Sequence, residues 1–252
     1  VSKYTQQIES AIALRGTMTV AEMSDLLGVS DQTVRRIIQP LVKSGKVQKI
    51  HGAIKSVENP MTAPFQIRMQ HNRTAKAALA AKLADMINDG QSLAIDTGST
   101  AGFVAQALRV KRNLTIVTNS AYVASTLAMM PGNRVFMAGT QLRDHDGAAF
   151  DRTAFETIER MEVLTSILTA AQVHPKRGFL VNEQCEADIA KAMSSIAQQT
   201  IFAVDHSKFI TSPAQNMVQI TGLCGQLHLV CDKVLDKAYT KVLDPFKISL
   251  AT

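Results

Sequence analysis

Residues 19–36, TVAEMSDLLGVSDQTVRR, leave the backbone few choices. Thr19 and Glu22 stand at the spacing of a capping box, in which each side chain satisfies the other residue's backbone N–H. Val20, Met23, Leu26 and Leu27 then share one helical face. Gly28 permits the left-handed backbone that ends a helix, Val29 is an apolar plug, and Ser30 stands where a second helix needs its cap. In that second helix Val34, Ile37, Ile38, Leu41 and Val42 form the apolar stripe. Ser30, Gln32, Thr33, Arg35 and Arg36 occupy the other side near its start. A capped helix whose first turns offer only hydrogen-bonding and cationic groups suits insertion into the major groove of DNA. An ordinary helical hairpin with a solvated polar face has the same local pattern, so the flanking sequence has to decide.

Upstream, Tyr4, Ile8, Ala11, Ile12 and Leu14 predict a first helix, stopped by Gly16. Downstream, a turn at 43–45 leads into KVQKI at 46–50, which alternates polar and apolar as a strand does, and residues 51–55 close a hairpin. Three helices and a basic hairpin make a small winged helix–turn–helix domain over residues 1–58. Phosphate contacts position such a domain and base-edge contacts specify its sequence. Arg35 or Arg36, with Gln32, is expected at base edges, and either arginine is also suited to clamp a phosphate. Ser30, Thr33 and the wing residues Lys46, Lys49 and His51 are expected along the backbone. Pro40 lacks an N–H and crowds the carbonyl of Arg36, which predicts a kink in the second helix.

Charge supports this assignment. Residues 1–76 carry 11 Lys/Arg against 5 Asp/Glu, an excess of +6, whereas residues 77–252 carry 16 of each. The whole excess sits on the segment with the candidate reader, as a polyanionic partner requires. With 46% of its 252 residues apolar, the chain can bury a sizeable core, yet no run is long enough for a membrane span. No basic-then-apolar leader opens it, which predicts a cytoplasmic protein without a membrane partner. Cys185, Cys224 and Cys231 are odd in number and lack metal-ligand spacing, and the histidines form no ligand pair. Neither a metal nor any other cofactor is expected.

Asn59-Pro60 and Ala63-Pro64 favour extended backbone and mark a linker over 59–76. A helix begins at Lys76, with Leu79, Leu83, Met86 and Ile87 inward, and stops at Asn88-Asp89-Gly90. Beyond it, apolar runs at 93–95, 115–118, 135–138, 163–169, 200–204 and 229–231 alternate with helical stretches at 101–108, 122–130 and 186–197. That alternation predicts an α/β domain with a mostly parallel sheet over 77–252. Open sheets of this kind bind ligands beyond the carboxyl ends of their strands. Asp96, Thr97, Gly98, Ser99 and Thr100 leave one such strand and open a helix, whose N–H groups and positive end can hold an anion; a plain turn with Ser/Thr caps has the same composition. Asn119 and Ser120 follow the next strand, Gly139 the third, and Asp205 a late one. There Lys208 can neutralise a phosphate and Asp205 can accept sugar hydroxyls.

The strings VSDQTVRR and LVKSGKVQKIHGA resemble the N-terminal signature of the DeoR family of bacterial transcriptional regulators. Phe65 and Arg68 resemble the F..R that opens that family's regulatory half. DTGST at 96–100, TNS at 118–120 and DHSKF at 205–209 resemble its sensor motifs, in order. The resemblance spans almost the whole chain. It implies a homodimer or homotetramer that binds double-stranded operator DNA and whose C-terminal half, similar to sugar-phosphate isomerases, binds a phosphorylated sugar. The chain departs from the pattern at Ile37-Ile38, at the single glycine of the wing and at Gly139-Thr140. It also departs at Leu164, Thr169 and Gln172, and at Ala190, where Lys191 stands one position round the helix. Those departures predict a pocket wall altered on one side, and an effector that is atypical or not phosphorylated.

Taken together, these features predict a repressor of a carbohydrate-catabolism operon, released or retuned by its effector; activation is the same mechanism with the opposite sign. Two other functions fit parts of the sequence. A sugar-phosphate isomerase or deaminase needs a base, for which Asp96, Asp205 and Asp232 are candidates, but no other residue marks a catalytic set and no catalytic residue is assigned. A DNA-binding protein with a vestigial, ligand-free rear domain is the other.

Overall fold

A computed structural model describes residues 3–15, 17–43, 47–50, 53–56, 65–211 and 216–251. Contacts divide the chain into two compact units, Val1–His71 and Asn72–Thr252.

In the first unit α1 (Lys3–Arg15) buries Ile8 and Ile12. The short strand β1 (Thr17–Thr19) leads into α2 (Val20–Leu27) and α3 (Asp31–Lys43). Strands β2 (Val47–Ile50) and β3 (Ala53–Ser56) form the antiparallel wing, with Val47 opposite Ser56 and Ile50 opposite Ala53. The predicted hairpin is thus present and gains a third strand, because β1 pairs with β3 on its other side. Helix α4 (Phe65–Gln70) lies within the residues read from sequence as linker. The core joins Ile8, Ile12, Met18, Met23, Val34, Ile38, Leu41, Val47 and Ile54. Leu26, expected inward, is 47% exposed, since it sits at the edge of the stripe set by Val20, Met23 and Leu27.

The capping box is present, with the Thr19 N–H donating to Glu22 Oε2 at 2.7 Å and Gly28 closing α2 at φ +63°. Helix α3 includes Pro40 and runs on to Lys43, with Pro40 on its exposed face.

The second unit begins with α5 (Arg73–Met86), followed by β4 (Ser92–Ile95), α6 (Ser99–Ala107), β5 (Thr115–Thr118), α7 (Ala121–Ala128) and β6 (Arg134–Met137). Next come α8 (Arg152–Glu159), β7 (Val163–Leu168), β8 (Gln172–His174), β9 (Gly178–Val181) and α9 (Gln184–Ser195). The unit ends with β10 (Ala197–Ala203), β11 (Val218–Gln219), β12 (Gln226–Cys231), α10 (Thr240–Leu243) and β13 (Lys247–Leu250). Seven strands form one sheet in the order β13-β12-β10-β7-β4-β5-β6, and every neighbouring pair is parallel.

Strand alternation divides the core into two layers. Leu93, Ile95, Ile116, Ile167 and Ile201 face Leu79, Leu83, Val104 and Val123 on one side. Ala94, Val117, Leu168, Phe202 and Leu229 face Ile158, Ile189 and Met193 on the other. A small antiparallel sheet, β11-β9-β8, belongs to the second layer. Among the described residues no helix is long and apolar enough to cross a membrane.

Candidate functional site

On α3 the Ser30 hydroxyl accepts from the Thr33 N–H at 3.4 Å and lies 3.0 Å from the Thr33 hydroxyl, so both residues first serve the helix start. Gln32, Arg35 and Arg36 are exposed, Thr33 is half-buried, and Lys49 on β2 is exposed. Lys46 and His51 lie outside the described residues. A groove of about 360 Å³ runs between α3 and the wing, lined by Val20, Arg35, Gln39, Lys49, Ala53 and Ile54.

In the second unit the parallel order brings the carboxyl ends of β10, β7, β4 and β5 to one edge. Asp96 ends β4 and is buried. Thr169, one residue past β7, donates its N–H to Asp96 Oδ2 at 3.3 Å, and its hydroxyl donates to the Thr97 carbonyl at 3.0 Å. Gly98 holds φ +103°, where an added Cβ would stand 3.3 Å from the Thr169 hydroxyl oxygen. The turn is recessed: Thr97, Ser99 and Thr100 are buried and only Gly98 is half-buried. Helix α6 starts there, and its first internal bond runs from the Gly102 N–H to the Gly98 carbonyl at 2.9 Å. The N–H groups of its opening turn precede that bond.

Asn119, after β5, donates its side-chain amide to the Ala149 carbonyl at 3.1 Å. Ser120 caps α7, accepting from the Val123 N–H. Gly139, after β6, has a packing reason to be glycine, since a Cβ there would overlap that of Ala149. Asp205, after β10, is fully buried; its Oδ1 accepts from Asn72 Nδ2 at 3.0 Å and from the N–H and hydroxyl of Ser207. Lys208 follows on the same turn and is half-buried. The loops that follow β4, β5 and β10 each hold a buried polar atom without a hydrogen-bond partner among the described residues: Thr97 Oγ1, Asn119 Oδ1 and Asp205 Oδ2.

Residues 5–59 match the DeoR-like helix-turn-helix domain and residues 71–233 the DeoR C terminal sensor domain. The chain belongs to the DeoR family. Among its relatives, the HTH-type transcriptional repressor CsqR of Escherichia coli is 30% identical, covering 86% of this chain and 84% of that one. The Glycerol-3-phosphate regulon repressor of the same organism is 29% identical over 87% of this chain and 88% of that one. The HTH-type transcriptional regulator IolR of Bacillus subtilis is 24% identical over 97% and 96%. This DeoR-family chain is a DNA-binding transcriptional regulator, and the same matches favour that function over the isomerase alternative.

The regulator's sensor edge also contains groups that the sequence motifs did not single out. Arg143 binds Asp146 at 2.6 Å and Glu186 at 3.0 Å, and its guanidinium lies 4.0 Å from the centre of the Phe150 ring. Glu186 in turn accepts the Asn182 N–H near the start of α9, so Arg143 ties the 139–151 loop to that helix. Asp151 anchors the loop's two ends: Oδ2 accepts from the N–H groups of Thr140 and Gln141, and Oδ1 from that of Ala154. Those bonds, the Gln141 and Thr140 amides foremost, lower the Asp151 carboxyl to about 2. Asp232, named from the sequence as a candidate base, lies past β12, where it accepts the His206 N–H at 2.6 Å and faces its Nδ1 at 2.5 Å.

Asp96 and Asp205, both buried, titrate in opposite directions. Burial raises Asp96 to about 7, against hydrogen bonds from the Thr97 and Thr169 backbone, and the charge of Glu186 adds to the rise. Burial also pushes Asp205 upward. The Ser207 hydroxyl, the Lys208 charge, the Ser207 amide and Asn72 outweigh it, so Asp205 lies below the ordinary value. Asp205 is therefore an ionised acceptor at neutral pH, with one oxygen lacking a donor.

Proposed function

We propose that this regulator is a repressor of a carbohydrate-catabolism operon whose sensor unit takes a phosphorylated sugar at the Asp96–Asn119–Asp205 edge. The observation that carries the reading is the set of three unpartnered atoms, Thr97 Oγ1, Asn119 Oδ1 and Asp205 Oδ2. A buried acceptor without a donor costs on the order of 1–3 kcal/mol, more when charged. Two of these atoms are acceptors and the third is a hydroxyl oxygen, so a ligand rich in hydroxyl groups complements them. At about 4.8 Å per strand, the two steps from β10 to β4 place Asp205 about 10 Å from the α6 turn along the sheet. The strand order β10-β7-β4-β5 sets the α6 turn between Asp205 and Asn119. An anion at the α6 N–H groups, with Lys208 reaching towards it as counter-charge, therefore has a hydroxyl acceptor on either side, Asp205 on one and Asn119 on the other. The family resemblance and the name of the glycerol-3-phosphate repressor point to the same ligand class.

In this mechanism Gln32, Arg35 and Arg36 meet operator DNA, with Ser30, Thr33, Lys46, Lys49 and His51 alongside, and a homodimer or homotetramer presents paired reading helices to paired half-sites. An effector that binds the DNA-competent and incompetent arrangements unequally shifts their balance.

The test is a melting-temperature screen against inorganic phosphate, glycerol 3-phosphate, pentose and hexose phosphates, and the corresponding free sugars. Preferential binding to the native protein raises the melting temperature. At least one phosphorylated sugar should raise it where its free sugar does not. Lys208→Ala should bind DNA normally yet require more of that ligand for release. A flat screen would remove the effector site, and normal release by the variant would remove Lys208 from it.

A further inference from the structure

The two adjacent arginines of α3 lie on different sides of the helix. Val34, Ile38 and Leu41 are buried and mark its inward direction. At about 100° per residue, Gln32 and Arg36 project about 160° from that direction, straight outward, whereas Arg35 projects about 95° from it, sideways. The groove beside α3 agrees with this geometry: Arg35 lines it with Gln39, one turn further along, and Lys49 stands on the opposite bank. Arg36 and Gln32 are not among its lining residues.

The chemistry of the two positions differs accordingly. A channel with an apolar floor of Val20, Ala53 and Ile54 and a cation on each bank fits a negatively charged strand passing between helix and wing. It offers a phosphate two point charges from different elements. The outward pair has no such bank. A guanidinium and an amide one helical turn apart, at the summit of an inserted helix, are the side chains that make paired hydrogen bonds to guanine and adenine edges. We infer that Arg36, with Gln32, reads base edges, and that Arg35 and Lys49 form a saddle for the sugar–phosphate backbone. This division of labour rests on the reading of α3 as the helix that enters the groove.

The experiment uses the full-length protein and a duplex that the wild type selects from a randomised library, with a scrambled duplex as reference. Affinities for both are measured across a salt series. The variants are Arg35→Ala, Lys49→Ala, Arg36→Ala and Arg36→Lys, each first matched to the wild type in melting temperature. Arg36→Ala should lower the ratio of selected to scrambled affinity by about tenfold or more, since a lost bidentate base contact is worth about 5–150-fold. Arg36→Lys should also lower that ratio, because an ammonium keeps the charge but not the planar fork. Arg35→Ala and Lys49→Ala should weaken both duplexes by the same factor, keep the ratio, and reduce the salt slope by about one each. A ratio that collapses in Arg35→Ala and survives in Arg36→Ala overturns the assignment while leaving α3 as the reader. Four variants that all bind as the wild type does overturn the assignment together with the DNA-facing role of α3.

Discussion

At Asp96 the protein holds a carboxyl where water cannot stabilise its charge, and burial raises it to about 7. In an unfolded chain the same group titrates near 4. Between about pH 4 and 7 the native protein therefore retains a proton that the unfolded chain has released, and its stability falls as pH rises through that window. Below about pH 4 the carboxyl is protonated in both states and contributes no such penalty; above about 7 the penalty is complete. A rise from near 4 to near 7 limits that penalty to about 4 kcal/mol. Asp96→Asn keeps the shape and an oxygen for the Thr169 N–H, but carries no charge. The variant should melt higher than the wild type at pH 8, with the gap closing towards pH 4. Parallel melting curves across that range would mean that Asp96 is ionised throughout in the native protein. Asp205 is the counter-example a few strands away, where Ser207, Lys208 and Asn72 overcome the same burial.

Elements differ in how far their own residues dictate them. Helix α2 is set locally: Thr19 and Glu22 close its start reciprocally and Gly28 its end. Removing the cap hydroxyl in Thr19→Ala should cost about 1 kcal/mol of stability. Denaturant unfolding of that variant is the check, and an unchanged midpoint would mean that tertiary packing alone holds the helix. The six apolar runs of the parallel sheet were legible for the same local reason, each being bounded by polar or glycine residues. The antiparallel β8, β9 and β11, and the edge strand β13, were not. Strands β8 and β11 are only three and two residues long, and the pairing of β11 joins residues far apart, such as Val218 with Val181. The site divided likewise. Loops that follow strands, at Asp96, Asn119 and Asp205, could be read from spacing. Arg143 could not, because its partner Glu186 lies 43 positions away and only the fold brings them to 3.0 Å. Arg143→Ala strands Asp146, whose side chain is 3% exposed, without its cation. That loss should destabilise the sensor by on the order of 3 kcal/mol. A melting temperature unchanged from the wild type would instead make the latch a surface ion pair of little consequence.

Across the whole chain, the charge excess of the first 76 residues and the balanced remainder separate two tasks that the regulator has to connect. The connection need not be a path of contacts. It requires only that the ligand and the DNA prefer different populations of one equilibrium. A coupling free energy is reciprocal: if a sugar phosphate lowers affinity for the selected duplex by some factor, that duplex lowers affinity for the sugar phosphate by the same factor. Typical couplings of about 1–3 kcal/mol predict a change of about 5–150-fold in each direction. The measurement is a pair of titrations on full-length protein, ligand with and without saturating duplex, and duplex with and without saturating ligand. A factor well above one in both titrations establishes the coupling, and agreement between the two values checks that both were measured at equilibrium. A ligand that binds the sensor tightly yet leaves duplex affinity untouched has equal affinity for both populations, and equal affinity shifts nothing however tight the binding. That outcome would leave a filled pocket without regulatory consequence, whereas a vestigial, ligand-free domain predicts no binding at all. A factor below one, with ligand and duplex each strengthening the other, would preserve the coupling and reverse its sign, making the bound sugar a co-repressor or the protein an activator.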